Sequence, residues 1–363
     1  GISADSLLQA PDSLHSLFTT KRPDVLFIIM ESFSSWLMTT LGGEPGVAVQ
    51  LDSLAQEGVL FTNFYANSFR TDRGLVSTLS GHISYPTTSI MKLPAKSRLL
   101  PGIARTLQQA GYQTDFLYGG DINFTNMRSY FTTTGYQHLT SDTDFSLQER
   151  TSSSWGAHDE YTFDRLYEML ESRPADRLWH TGFLTLSSHE PFEVPYNRLK
   201  DKRQNSFAYT DHCLGEFIDR LKQLPVWNNL LVICLPDHGS SPTFNVTSPT
   251  YHIPMLWLGG AIKAPAVIHT LMNQSDMPAT LLGQLGLPHQ DFKYSRNIFS
   301  TSYTYPFAYS TFSDGFMFKD STGVTIFDNA ARKPVYNEPA PDGAREEKGM
   351  AILQTSYDQL GEN

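Results

Sequence analysis

Cysteine is nearly absent from the chain, with only Cys213 and Cys234 in 363 residues. Each falls in an apolar run, "TDHCLGEFIDRL" and "NNLLVICLPD", so both are expected to be buried free thiols rather than a disulfide, and the redox compartment stays open. No stretch of about 18 consecutive apolar residues occurs, which excludes a transmembrane helix within this chain. The sequence does not open on Met, and no signal peptide is expected within it. The opening "GISADSLLQAPD" reads as a processed or engineered start, and the expectation is the soluble part of something larger. No basic tract offsets the formal net charge of −10, so a nucleic-acid partner is disfavoured. A metal ion or a phosphorylated substrate stays possible, because local charge can oppose global charge. Internal repeats and low-complexity tracts are also lacking.

What is present is an alternation of strand-like and helix-like segments. "DVLFIIM" (Asp24–Met30), "LWHTGFLTLSS" (Leu178–Ser188), "NLLVICLPDHG" (Asn229–Gly239) and "YHIPMLWLGG" (Tyr251–Gly260) are short apolar runs with polar ends, read as buried strands. Between them lie helical patterns: "LDSLAQEG", "GLVSTLSG", "PGIARTLQQAG", "DEYTFDRLYEMLES", "SFAYTDHCLGEFIDRLKQL" and "SDMPATLLGQLG". This order predicts a layered α/β fold, a three-layer sandwich around a mostly parallel sheet. After about residue 290 the texture turns aromatic and Thr-rich, with turn signals at Asp314-Gly315 and Ser321–Gly323, which predicts a small antiparallel sheet and a closing helix at 345–360. The expected organisation is a lead-in at 1–22, a catalytic domain at 23–290 and a β-rich subdomain at 291–363.

Open α/β sheets bind ligands beyond the carboxyl ends of their strands. One predicted strand stops at Glu31 and another at Asp237 and His238. Two carboxylates and an imidazole at one sheet edge make a candidate divalent-cation site. Each piece alone has an ordinary alternative, a helix cap or a salt bridge. Thr71, in "FYANSFRTDRG", precedes a predicted helix. Read locally it is an N-cap; beside a metal its hydroxyl would be a nucleophile toward a phosphoryl group. His189, in "TLSSHEPF", is either a loop residue or a donor to a phosphate oxygen or leaving group. The aromatic "LFTNFYANSF" (Leu60–Phe69) reads as core packing behind the site.

In order, "ESFS", "SFRT", "SSHEPF", "PDHG" and "SDMPATLL" resemble the lipoteichoic acid synthase-like branch of the sulfatase and alkaline phosphatase superfamily, over roughly residues 22–290. The resemblance implies an alkaline phosphatase/sulfatase-like fold and one divalent metal, usually manganese, with magnesium and zinc as alternatives. The metal would lie among Glu31, Thr71, Asp237 and His238. It also implies that Thr71 attacks the phosphorus of a phospholipid headgroup, phosphoglycerol in the family, and that an acceptor hydroxyl on a glycan or glycerophosphate chain then resolves the phospho-threonine. His189 would touch the phosphoryl oxygens. Family members are bacterial membrane proteins, anchored by N-terminal helices, with the catalytic domain outside the cytoplasmic membrane.

One segment departs from the family. Where its synthases carry a His, a Trp and an Arg lining the glycerophosphate pocket, "YGGDINFTNMRSYF" places Tyr118, Thr125 and Met127, with Arg128 one position later. Tyr118, Asp121, Asn126 and Arg128 are the substrate-binding candidates there. The departure leaves a phosphoethanolamine transferase, a phosphodiesterase or a sulfatase-like hydrolase as alternatives, with a non-catalytic binding module as the reading outside enzymes. The sulfatase Cys/Ser-x-Pro-x-Arg motif is missing, since the nucleophile segment reads "RTDRG". A two-metal phosphatase would need a second ligand cluster, for which His252 is the one additional candidate.

Overall fold

The structure, a computed structural model, describes residues 16–242 and 248–362. Residues 1–15 of the expected lead-in therefore lie outside the described residues. The fold is built around two apolar segments. β1 (Asp24–Ile29) and β6 (Leu230–Leu235) are buried at every position, as strands lacking polar alternation must be when both sheet faces are covered. They pair in parallel, with Asp24 opposite Leu230 and Ile29 opposite Leu235. β5 (Trp179–Leu184) flanks β1 on its other side, also parallel, with Leu184 opposite Ile29.

Beyond β5 lie β3 (Gln113–Tyr118) and β4 (His138–Thr140); beyond β6 lie β7 (His252–Leu258), β2 (Val59–Tyr65) and β8 (Ala266–Ile268), with β9 (Met272–Asn273) also pairing with β2. The sheet is mostly parallel, but β7 runs antiparallel to both β6 and β2. The apolar run at 251–260 marked a buried strand without revealing its direction. Of Leu60–Phe69, expected only as core packing, residues 60–65 belong to a full strand, β2.

Side chains of β1 alternate between two cores, as a period of two requires. Val25, Phe27 and Ile29 face a cluster that includes α2 (Thr71–Ser80), α3 (Ile103–Gln109), α4 (Met127–Thr133) and α7 (Met277–Gln284). Leu26 and Ile28 face the cluster of α1 (Val49–Leu54), α5 (Asp159–Glu171) and α6 (Lys202–Leu221). This is a three-layer α/β sandwich. α6 starts four residues earlier than its apolar pattern because Asp201 caps it, its carboxylate accepting the Gln204 N–H at 2.7 Å. Cys213 and Cys234 are both buried and unpaired. Leu17 and Phe18, assigned to the lead-in from sequence, are buried in the core, and Phe18 stacks on Trp257 at 6.1 Å.

The second sheet is antiparallel: β10 (Ala308–Phe312), β11 (Gly315–Asp320), β12 (Gly323–Asp328) and β13 (Lys333–Glu338). Phe316, Phe318 and Phe327 on one face meet Met350 and Leu353 of α8 (Gly343–Glu362). Met317, Val324 and Ile326 on the other face meet Tyr65 and Tyr251 of the main body. Among the described residues no helix is long and apolar enough to cross a membrane.

Candidate metal and nucleophile site

The register of the central strands assembles the site. Glu31 and Asp237 each lie two positions past the paired ends Ile29 and Leu235, so adjacent parallel strands deliver them side by side. His238 follows. One oxygen or nitrogen from each of Glu31, Asp237 and His238 lies within 4.8 Å of the others, and all three residues are buried. The turn after β1 holds them. Ser32 sits at φ 62°, a left-handed conformation that costs a non-glycine residue roughly 1–2 kcal/mol. There its N–H donates to Asp237 Oδ1 at 3.0 Å and its hydroxyl to Glu31 Oε1 at 3.1 Å. From behind, the fully buried Gln274 amide donates to the carbonyls of Asp237 (2.7 Å) and Pro236 (3.2 Å).

Thr71 is the first residue of α2. Its side chain does not cap the helix, contrary to the local reading. The hydroxyl turns toward the carboxylates instead, donating to Asp237 Oδ2 at 2.8 Å with Glu31 Oε2 at 3.2 Å. Gly74 permits this approach, because a Cβ there would stand 1.8 Å from the Asp237 carbonyl oxygen. Gly74→Ala is expected to lower stability by about 3 kcal/mol, since backbone blocks backbone and no side chain can yield. Urea denaturation checks this, and an unchanged midpoint would refute the packing.

Electrostatics tie the triad together. Burial alone would raise the Glu31 carboxyl, but hydrogen bonds with Asp237 and His238 and the imidazolium charge hold it near 2. Burial and then the Glu31 charge push Asp237 up to about 8. Burial opposes a charge on His238, yet the two carboxylates raise it to about 10. Two buried carboxylates therefore compete for one proton and one imidazolium, which is an environment suited to a divalent cation. The donor set fits one. His238 Nδ1 donates to the Gly239 carbonyl at 2.7 Å, leaving Nε2 on the side of the carboxylates.

Glu31, Thr71 and His238 open into a cleft of about 360 Å³ that His189 also lines. Of the other expected residues, Thr125 and its neighbour Phe124 line the cleft, whereas Tyr118, Asp121, Asn126 and Arg128 do not. Tyr118 is buried in the core, its hydroxyl pushed up by burial and by the charges of Glu31 and Asp237. Asp121 and Arg128 are exposed, and both bond to Asn123. His252 starts β7 but does not line the cleft; it stacks on Tyr65 at 5.1 Å, with Nε2 bonded to the Thr62 carbonyl at 2.7 Å, and the structure gives it a packing role. The sequence reading missed Ser32 and Gln274, and also the cleft walls Arg70, Lys92, Trp155 and Arg203. Ser32 and Arg70 adjoin Glu31 and Thr71 in sequence, whereas Lys92, Trp155, Arg203 and Gln274 carry no local signal, because tertiary contacts bring them to the site.

A family model described as Sulfatase matches residues 23–287. The chain is 24% identical over 326 residues to the lipoteichoic acid synthase-like YvgJ of Bacillus subtilis, covering 79% of this chain and 51% of that protein. It is 23% identical over 382 residues to the lipoteichoic acid synthase of Staphylococcus saprophyticus, covering 94% and 57%. It thus spans little more than half the length of these curated relatives. A crystal structure of an alkaline phosphatase superfamily protein from Vibrio parahaemolyticus superposes with a TM-score of 0.81 at 25% identity, over 95% of this chain and 89% of that one. The lipoteichoic acid synthase LtaP of Listeria monocytogenes shares the fold, with a TM-score of 0.79 at 16% identity over 99% and 97%. Fold and triad together support a metal-dependent hydrolase or transferase with clear homology to lipoteichoic acid synthase-like proteins. A match across most of the chain, spanning both strands that carry the triad, means that the chain belongs to the sulfatase family, within the sulfatase and alkaline phosphatase superfamily.

Proposed function

We propose that this domain transfers a phospholipid headgroup, phosphoglycerol, to an acceptor hydroxyl through a covalent phospho-Thr71. The observation that carries the reading is the Thr71 hydroxyl, turned off its helix onto Asp237 and Glu31 at the floor of a cleft that His189 shares. Glu31, Asp237, His238 and Thr71 would hold one divalent cation, manganese in our reading. Bound there, it polarises the phosphoryl group and favours the threonine alkoxide. Thr71 Oγ1, whose proton goes to solvent as the alkoxide forms, makes a bond to phosphorus on the side opposite the diacylglycerol oxygen. His189 gives its proton to that departing oxygen. The neutral imidazole then takes the proton of the acceptor hydroxyl as it attacks phosphorus and releases Thr71.

The cleft wall supports a phosphate-bearing donor. Arg70, Lys92 and Arg203 line it together with Asp72, Glu190 and the aromatic Phe69, Phe124, Trp155 and Phe192. The cations favour the phosphate of such a donor. Relatives named as lipoteichoic acid synthases support a lipid-linked donor and a glycerophosphate or glycan acceptor. In this reading residues 23–290 form the catalytic unit, residues 291–363 close it, and the domain works outside the cytoplasmic membrane of a bacterium.

Mass spectrometry tests the intermediate. Incubated with phosphatidylglycerol vesicles and manganese, the protein is expected to carry a glycerophosphoryl adduct on the Thr71 peptide, and an added alcohol acceptor should discharge it. Headgroup release with no adduct at Thr71, even after rapid acid quench, sinks the covalent route. Glycerol phosphate as sole product in the presence of acceptor would make the domain a phosphodiesterase.

A further inference from the structure

We infer that Trp155 is a positioning residue for His189, fixing the imidazole in one tautomer so that Nε2 is its working nitrogen; this rests on the reading of His189 as the proton carrier. Trp155 lies 34 residues before His189 and belongs to no regular element, yet their rings sit 4.0 Å apart between centroids, at 48°. The Glu190 carbonyl joins them. It accepts the Trp155 indole N–H at 2.7 Å and His189 Nδ1 at 3.1 Å. A carbonyl oxygen has two lone pairs, so one acceptor serves both donors. A neutral imidazole has one N–H and one lone pair. With the N–H committed at Nδ1, the lone pair is at Nε2, which has no hydrogen-bond partner among the described residues. Phe124 meets the indole edge-on at 5.9 Å.

The two loops are locked together at a second point. Asp159, fully buried at the start of α5, accepts the backbone N–H groups of Leu186 (2.9 Å) and Ser187 (3.2 Å) and the Thr210 hydroxyl (2.6 Å). The Ser187 hydroxyl accepts the Asp159 N–H at 2.8 Å and pairs with His158 Nδ1 at 2.9 Å. Ser188 then donates to the Glu31 carbonyl at 2.7 Å. The segment 155–159 thus grips both ends of 186–190 and ties that loop to a triad residue. Asp159 fixes the backbone, and Trp155 fixes the ring.

Two measurements test this. In protein labelled with [15N]histidine, assigned by difference from H189A and held at a pH where the ring is neutral, wild-type His189 is expected to show the Nδ1–H tautomer. W155F, which keeps a ring wall but loses the N–H donor, should shift His189 toward a mixture. An unchanged tautomer in W155F overturns the inference whatever the activity. In headgroup release from phosphatidylglycerol vesicles, kcat should fall about 10-fold in W155F and about 100-fold in W155A, with KM within about twofold, because a misplaced proton carrier forfeits part of a contribution of roughly 10²–10⁴-fold. In the H189A background W155A should add nothing. The same factor in both backgrounds overturns the inference and makes Trp155 an independent contact. If H189A itself turns over like wild type, the proton-carrier reading fails and only the tautomer result stands.

Discussion

Thr71→Ala is expected to abolish headgroup release, with a loss of at least about 10³-fold, as removal of an activated nucleophile does in other covalent enzymes. The same variant should stay folded within about 1 kcal/mol of wild type. Its hydroxyl caps no helix N–H, and alanine is well tolerated at a helix position, so only the hydrogen bond to Asp237 is forfeited. The two readouts point in opposite directions for the two readings of this residue. Loss of an N-cap would cost about 1 kcal/mol and leave the chemistry intact. Loss of a nucleophile leaves stability alone and removes the chemistry. Thr71→Ser, which keeps the oxygen, should retain activity within about 10-fold. Near-wild-type turnover by Thr71→Ala, measured on a labelled phospholipid, would falsify the phospho-threonine route.

The part of this architecture that was legible in the sequence is the part governed by continuous apolar runs. β1 and β6 are buried on both faces, so their sequences are uninterrupted, and each ends abruptly at the residues that form the triad. A parallel pairing is enough to bring Glu31 beside Asp237, and it required no knowledge of the loops. Direction was not legible: β7 is as apolar as β6, and a strand buried on both faces looks alike read up or down. Nor was β2, whose partly exposed Thr62 and Asn63 interrupt its apolar pattern. The Thr71 side chain was ambiguous because the orientation of a helix-start hydroxyl depends on what lies beyond the helix. Ser32 acts through a positive φ, and Trp155 through a contact spanning 34 positions, so neither leaves a mark in its own neighbourhood. Tyr118, Asp121, Asn126 and Arg128 are expected at the pocket only from their place along one segment. The backbone there turns through two left-handed residues, Thr125 and Asn126, and presents Phe124 and Thr125 to the cleft instead.

Asp237→Asn is expected to separate the metal from the fold. In the wild type, Asp237 Oδ1 accepts the N–H groups of Ser32 (3.0 Å) and His238 (2.9 Å), while Oδ2 faces Thr71 and Glu31. An asparagine keeps an acceptor toward the two N–H groups and places an amide donor against Glu31, so it removes a like-charge contact without leaving a buried group unpaired. The metal-free variant should therefore unfold at the same urea concentration as metal-free wild type, or higher. What it loses is one of the two carboxylates in a set of four ligands, and divalent-cation affinity should fall by more than about 100-fold, beyond the loss typical of outer-shell changes. Activity should fall with it and return only at proportionally higher manganese. Elemental analysis and titration calorimetry on both proteins give the comparison. Equal metal stoichiometry and affinity would remove Asp237 from the ligand set. Wild-type protein that binds no divalent cation and releases no headgroup would leave the sulfatase fold acting here as a binding module.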